Sequence, residues 1–160
     1  MFIVTHALLP VCLGLAGELA SLATGRGHVF PPWGLAAIGV YGALPDLCSP
    51  HLSLEARAAS LSHTLVFLAA LAPVCAATAS FFARDGRWKL ALACWLAAAL
   101  HLAADAVSGG IPWLLPWRTE MLGAFLIPPD HWLWYDAGFL ILAGIGLRLR
   151  PHAEARGMGR

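Results

Sequence analysis

The chain has 160 residues, 59% of them hydrophobic and 12% charged, with a mean hydropathy of +0.72. A soluble domain carries about 25% charged residues, so a water-covered globule is excluded, and lipid, in which helices satisfy their own backbone hydrogen bonds, is the fitting solvent. A formal net charge of +1 provides no field to attract nucleic acid, and the length suits one domain.

The first apolar run, roughly 2–24, has no basic residue before Arg26 and is too long for a signal peptide. It reads as a retained first helix. A Gly-Arg-Gly-His breaker and Pro31-Pro32 follow. The second run, about 33–44, ends at Pro45-Asp46. At ~1.5 Å per residue it covers only ~20 Å of a ~30 Å hydrocarbon core, so it crosses only with help from thinning or flanking residues. Residues 51–60 mix charge with Leu and Ala and suit a short interfacial helix. The third run is about 61–83, and the fourth about 88–107, stopped by Ser108-Gly109-Gly110. A Pro- and Trp-rich stretch, 111–131, is no span; its Gly109, Gly110, Pro112 and Pro116 suggest a loop folded back over the helix ends. The fifth run is about 132–147, and a basic stretch closes the chain. The expected architecture is an all-α membrane protein: a bundle of about five transmembrane helices with an outer interfacial loop region. Residues 1–150 form one domain and 151–160 a basic cytoplasmic tail.

Cys12, Cys48, Cys75 and Cys94 have no close spacing, and three lie in apolar runs. They read as small apolar residues rather than a disulfide framework or thiolate site.

Five spans put Arg26, Arg84, Arg87, Lys89, Arg148, Arg150, Arg156 and Arg160 on one side, and only Arg57 and Arg118 on the other. Loops rich in Lys and Arg stay in the cytoplasm. The expected localisation is therefore a bacterial inner membrane, with the N-terminus outside and the C-terminus cytoplasmic.

On this map His6, Asp46, His63, His101 and Asp105 all fall near outer helix ends, with His51 and Asp130-His131 on the same side. Ionisable groups in spans are expensive to insert, ~2.5–3.5 kcal/mol for Asp at a helix centre, and usually face a bundle interior or cavity. His101 and Asp105, at i and i+4, share a helix face. His and carboxylate from several helices form the ligand set of zinc, manganese or iron. Singly, each has a plainer reading: a packed histidine, a chance pair, or Asp46 as a turn or cap residue. Glu18 lies ~18 Å along the first helix from His6 and is expected to pair with Arg26; His28 and His152 are expected to be solvated on the inner side. Trp113, Trp117, Trp132 and Trp134 form either an aromatic belt or a lipid-headgroup platform.

Thr5-His6, Gly42-Ala43-Leu44-Pro45-Asp46, Ser62-His63-Thr64-Leu65, and His101-Leu102-Ala103-Ala104-Asp105 followed by Gly110-Ile111-Pro112-Trp113 come in an order that resembles the YdjM-type family of bacterial inner-membrane proteins, described as metal-dependent hydrolases. The likeness spans about residues 5–117. It implies His6, Asp46, His63, His101 and Asp105 as metal ligands. It also implies a distant kinship to zinc-dependent phospholipases C, hence phosphoester hydrolysis on a lipid. The chain departs from the pattern at Cys48, where many members carry a second acid, and at Ala58-Ala59-Ser60, where many carry His-Arg-Gly. The departures favour a single-metal site over a multi-metal one.

The resulting expectation is a hydrolase at the outer interface, holding a divalent metal, zinc before manganese. Asp46 or Asp105 is the catalytic base if not a ligand. His51, Arg57, Trp113 and Arg118 bind the substrate, a membrane lipid or lipid-linked molecule. The alternatives are a proton-coupled transporter or channel, since buried Asp and His also relay protons, and an accessory protein whose polar cluster locks helices together.

Overall fold

The structure, a computed structural model, describes residues 3–49, 59–82 and 86–158. Five α-helices are present among the described residues: α1 (Ile3–Ala23), α2 (Gly34–Cys48), α3 (Leu65–Phe82), α4 (Arg87–Ser108) and α5 (Trp132–Met158). Short 3-10 turns, Leu61–His63 and Pro129–His131, precede α3 and α5. The all-α membrane class expected from composition is what forms: α1, α3, α4 and the segment containing α5 are long and apolar enough to cross a membrane, while α2 has 15 residues and is shorter.

Contacts fix the directions. Thr5 meets Asp136 and Glu18 meets Arg150, so α1 and α5 run parallel. The Trp33 ring meets Phe82 edge-on at 5.9 Å, and Tyr41 Oη lies 2.7 Å from Thr78 Oγ1, so α2 and α3 are antiparallel. The starts of α1, α3 and α5 thus share one end of the bundle with the ends of α2 and α4. The core between them is Leu15, Ile38, Leu71, Leu90, Ala98 and Leu102 with their neighbours. Most of α5 lies outside this core, with Leu140, Ile141, Leu142 and Ile145 exposed, as suits a lipid-facing surface.

Small residues allow the close approaches. A Cβ added to Gly42 of α2 would overlap the His6 carbonyl oxygen and the Pro10 ring of α1. Glycine lets the two backbones touch, the usual route to tight helix pairs in lipid. The start of α1 is tied down from α5: Asp136 Oδ1 accepts from the Thr5 backbone N–H at 2.9 Å and from the Thr5 hydroxyl. This satisfies one of the donors that a helix N-terminus leaves without an intrahelical partner.

Three boundaries differ from the sequence reading. The second helix runs through Pro45 to Cys48; proline removes one backbone donor, but its own carbonyl is used twice, by Ser49 N at 3.2 Å and Ser62 Oγ at 2.7 Å. The third helix starts at Leu65 rather than Leu61, because Thr64 is extended and its hydroxyl oxygen accepts the Phe67 N–H at 3.1 Å as an N-cap. The stretch expected as a basic tail continues α5 through Pro151 to Met158. The expected interfacial helix, with His51 and Arg57, lies outside the described residues.

At the opposite end of the bundle, Glu18 binds Arg150 rather than Arg26. Its buried carboxylate accepts from Arg150 Nη2 at 3.2 Å, Val29 N at 2.8 Å and Phe30 N at 3.3 Å, and lies 2.6 Å from His28 Nδ1. His28 is half-exposed and engaged by Glu18 rather than simply solvated, whereas His152 is exposed and lies 3.3 Å from its own helix's Arg148 carbonyl.

Candidate metal centre

Three elements deliver polar groups to one point at the first end of the bundle. Asp46 closes α2, His63 ends the 3-10 turn before α3, and His101 and Asp105 project from one face of α4. One ligand atom from each of Asp46, His63, His101 and Asp105 falls in a cluster whose members all lie within 4.8 Å of one another. The resolved separations are narrower. His63 Nε2 is 3.2 Å from His101 Nε2, 3.2 Å from Asp46 Oδ1 and 3.3 Å from Asp105 Oδ2. His101 Nε2 is 3.5 Å from Asp46 Oδ1 and 3.3 Å from Asp105 Oδ2. Ligands ~2.0–2.1 Å from a tetrahedral metal stand ~3.3–3.4 Å apart. Five of the six edges of this group therefore have the length a tetrahedral site requires.

The hydrogen bonds behind the imidazoles fix which nitrogens face inward. His101 Nδ1 lies 2.7 Å from the Gly42 carbonyl, which can only accept, so Nδ1 carries the proton. Ser62 donates to the Pro45 carbonyl at 2.7 Å and Ser60 Oγ lies 2.8 Å from Ser62 Oγ. In the tautomer that a metal ligand requires, Ser60 donates to Ser62 and His63 Nδ1–H donates to the two hydroxyl oxygens, each 3.1 Å away. Both Nε2 atoms then present lone pairs to each other and to two carboxylates. A metal-bound histidine ordinarily donates its other N–H in this way, which fixes the tautomer and raises its basicity. Two nitrogen and two carboxylate oxygen donors converging in this way could hold a cation, and the donor set fits a divalent one.

His6 occupies a different position. Its Nε2 lies 3.1 Å from Asp105 Oδ1, the oxygen turned away from His63 and His101. Its ring stacks on His101 with centroids 3.8 Å apart. Asp105 thus bridges His6 on one side and the four-atom group on the other. His6, His63, His101 and Asp105 are essentially inaccessible, whereas the Asp46 side chain is 15% exposed. Asp46 is thus the only one of the five with appreciable side-chain exposure.

The loop after α4 holds the ligands from above. Ala124 N donates to the Ala106 carbonyl and Leu126 N to the Val107 carbonyl, both at 2.8 Å, which ties down the turn bearing Asp105. A Cβ on Gly123 would overlap the Ala106 oxygen, so glycine permits this contact. Ile111 and Leu122 pair as an antiparallel bridge, and Leu65 N donates to the Trp113 carbonyl at 3.0 Å, just after His63.

Of the residues expected to bind substrate, Trp113 is half-buried against the core and Arg118 is exposed and outside the cluster. His51 and Arg57 lie outside the described residues. The sequence reading missed Gly42, Ser60, Ser62 and Asp136. Ser60 and Ser62 could have been found, since they sit within three residues of His63; Gly42 and Asp136 act across the fold.

Neither the curated proteins nor the solved structures hold a match to this chain. The family described as YdjM inner membrane protein matches residues 1–157. With four membrane-length apolar segments and a match over nearly its whole length, the chain belongs to the YdjM inner membrane protein family and is a multi-pass inner-membrane protein.

Proposed function

We propose that the protein is a membrane-embedded metal-dependent hydrolase acting on a lipid or other phosphoester substrate at the outer, periplasmic interface. The observation that carries this reading is the near-tetrahedral spacing of Asp46, His63, His101 and Asp105 around one point, with each imidazole held by a hydrogen bond behind it.

These four residues would hold the metal, and His6 would orient Asp105 from behind. Zinc suits the mixed nitrogen and oxygen set, and manganese is the next choice. When bound, such an ion supplies Lewis acidity to a phosphoryl oxygen and activates water near neutral pH. The protein's own part is positioning. The buried histidines and Asp105 keep the interior of the site dry, and Asp46, the only one of the four with appreciable side-chain exposure, marks the side from which water would enter. A substrate with acyl chains reaches this end laterally from the membrane, where Trp117, Phe125, Leu126 and Trp134 are exposed. The outer orientation rests on the excess of Lys and Arg in the segments at the other end.

The test is turnover on a panel of phospholipids by purified protein reconstituted with zinc. Asp46→Ala and His101→Ala should each reduce turnover at least 100-fold while the helical circular dichroism signal is retained. Normal turnover in both variants contradicts the proposal.

A further inference from the structure

At the end of the bundle remote from the metal centre, α1, the loop after it and the start of α4 border an open surface cavity of about 430 Å³. Its floor is narrow side chains, Gly17 and Ala20, and a Cβ on Gly17 would meet nothing within 4 Å. Its charged lining is Arg26 and Lys89, with His28 beside them, and among the described residues no carboxylate lines it. The acid nearest in sequence, Glu18, is already engaged by Arg150, His28 and two backbone N–H groups. Arg26 and Lys89 therefore have no ion-pair partner among the described residues. The two hydroxyls on the wall are spent on the backbone: Ser21 donates to the Gly27 carbonyl at 2.7 Å and Thr24 to the Ala20 carbonyl at 2.9 Å. They shape the loop and leave the two cations as the donors for a ligand.

The surroundings say what kind of anion fits. Trp88 adjoins Lys89, whose Nζ lies 5.9 Å from the indole centroid, and Trp88 and Phe82 are both exposed apolar surface at this end. A cationic groove whose Lys89 stands beside an exposed indole, at a bundle end with further exposed aromatic surface, matches a molecule with a negative head and a hydrocarbon body. Basic hollows between transmembrane helices are where anionic lipid headgroups dock. We propose that this cavity binds the phosphodiester headgroup of an anionic phospholipid, with Arg26 and Lys89 on the phosphate and the acyl chains along the Trp88 and Phe82 surface. This site is at the opposite end from the metal centre, so it stands or falls apart from the hydrolase reading.

The experiment is thermal unfolding of the full-length protein in neutral detergent, titrated with phosphatidylglycerol, phosphatidylcholine or inorganic phosphate. Wild type, Arg26→Gln/Lys89→Gln and Arg87→Gln are compared; Arg87 is an exposed cation outside the cavity. Phosphatidylglycerol should raise the unfolding temperature of wild type and Arg87→Gln, and phosphatidylcholine should not. Each lost cation should weaken binding about fivefold, and the double variant about 25-fold, from ~1 kcal/mol per basic residue near an anionic lipid surface. Equal protection by inorganic phosphate would make this a site for small phosphates and overturn the lipid assignment. Equal loss in Arg87→Gln would replace the cavity by a diffuse basic surface, and equal protection by phosphatidylcholine would remove any role for charge. If the double variant does not fold, Lys89→Gln alone, in the exposed first turn of α4, gives the same comparison with a fivefold expectation.

Discussion

The Nε2 atoms of His63 and His101 face each other at 3.2 Å, with His101 Nδ1 donating to the Gly42 carbonyl of another helix and His63 Nδ1 beside the hydroxyls of Ser60 and Ser62. Two imidazole nitrogens at that distance, between two carboxylates, form an arrangement that a shared divalent cation would stabilise. The protein keeps this arrangement by packing rather than by local sequence. Gly42 brings α2 against α1 and also supplies the carbonyl that turns His101, and the loop at 122–126 ties down the turn bearing Asp105.

His6 and His101 should respond differently to removal. His101 contributes a ligand atom, whereas His6 holds the far oxygen of Asp105. His101→Ala should abolish stoichiometric metal binding. His6→Ala should keep one metal per chain at saturation but weaken affinity by roughly 10–100-fold, the range for orienting partners of metal ligands. Competition with a chelator separates the two, and equal loss in both variants would make His6 a ligand.

Ser62→Ala removes an acceptor from His63 Nδ1 and a donor to the Pro45 carbonyl, both buried. Metal affinity should fall by about tenfold or more, with a loss of stability of roughly 1–3 kcal/mol from the buried carbonyl left short of a partner. Chelator competition and thermal unfolding in detergent report the two effects.

Gly42→Ala should disturb both packing and metal binding, because the added methyl overlaps the His6 carbonyl and the Pro10 ring. Forcing an extra carbon into a tight contact costs typically 1–3 kcal/mol. The unfolding temperature should drop, and metal affinity should drop with it, since α2 carries both Asp46 and the carbonyl that orients His101. Unchanged affinity would show that the close approach of α1 and α2 does not set the site.

Glu18→Gln should act on stability alone. It removes the charge that holds Arg150 and weakens the hold on the loop through Val29 and Phe30. Breaking a buried pair costs about 3–5 kcal/mol; Arg150 is partly exposed, so roughly half of that is expected. Metal content should not change, because Glu18 lies about 18 Å along α1 from His6 at 1.5 Å per residue.

The sequence made some of this legible and not the rest, for physical reasons. Long apolar runs announced α1, α3, α4 and α5, because lipid demands continuous hydrophobic segments. His101 and Asp105 stood out because charge inside such a run is expensive. Helix ends were less readable: Thr64 caps α3 through a hydroxyl bond to Phe67, and the apolar pattern alone placed the start at Leu61. Apart from Ser60 and Ser62 beside His63, the supporting contacts were not readable. Gly42 lies 59 residues from His101, Asp136 131 from Thr5 and Arg150 132 from Glu18, and such pairs are set by helix packing that no local pattern encodes. The pairing of Glu18 with Arg26 was expected for the same reason, since the nearer cation in sequence was the visible one.

The most direct test of the metal centre is elemental mass spectrometry of the detergent-purified protein, wild type beside His101→Ala, after equilibration with zinc and removal of excess. The account predicts about one zinc per wild-type chain and none retained by the variant. Equal metal in both, or none in either after reconstitution with zinc and then with manganese, would contradict it.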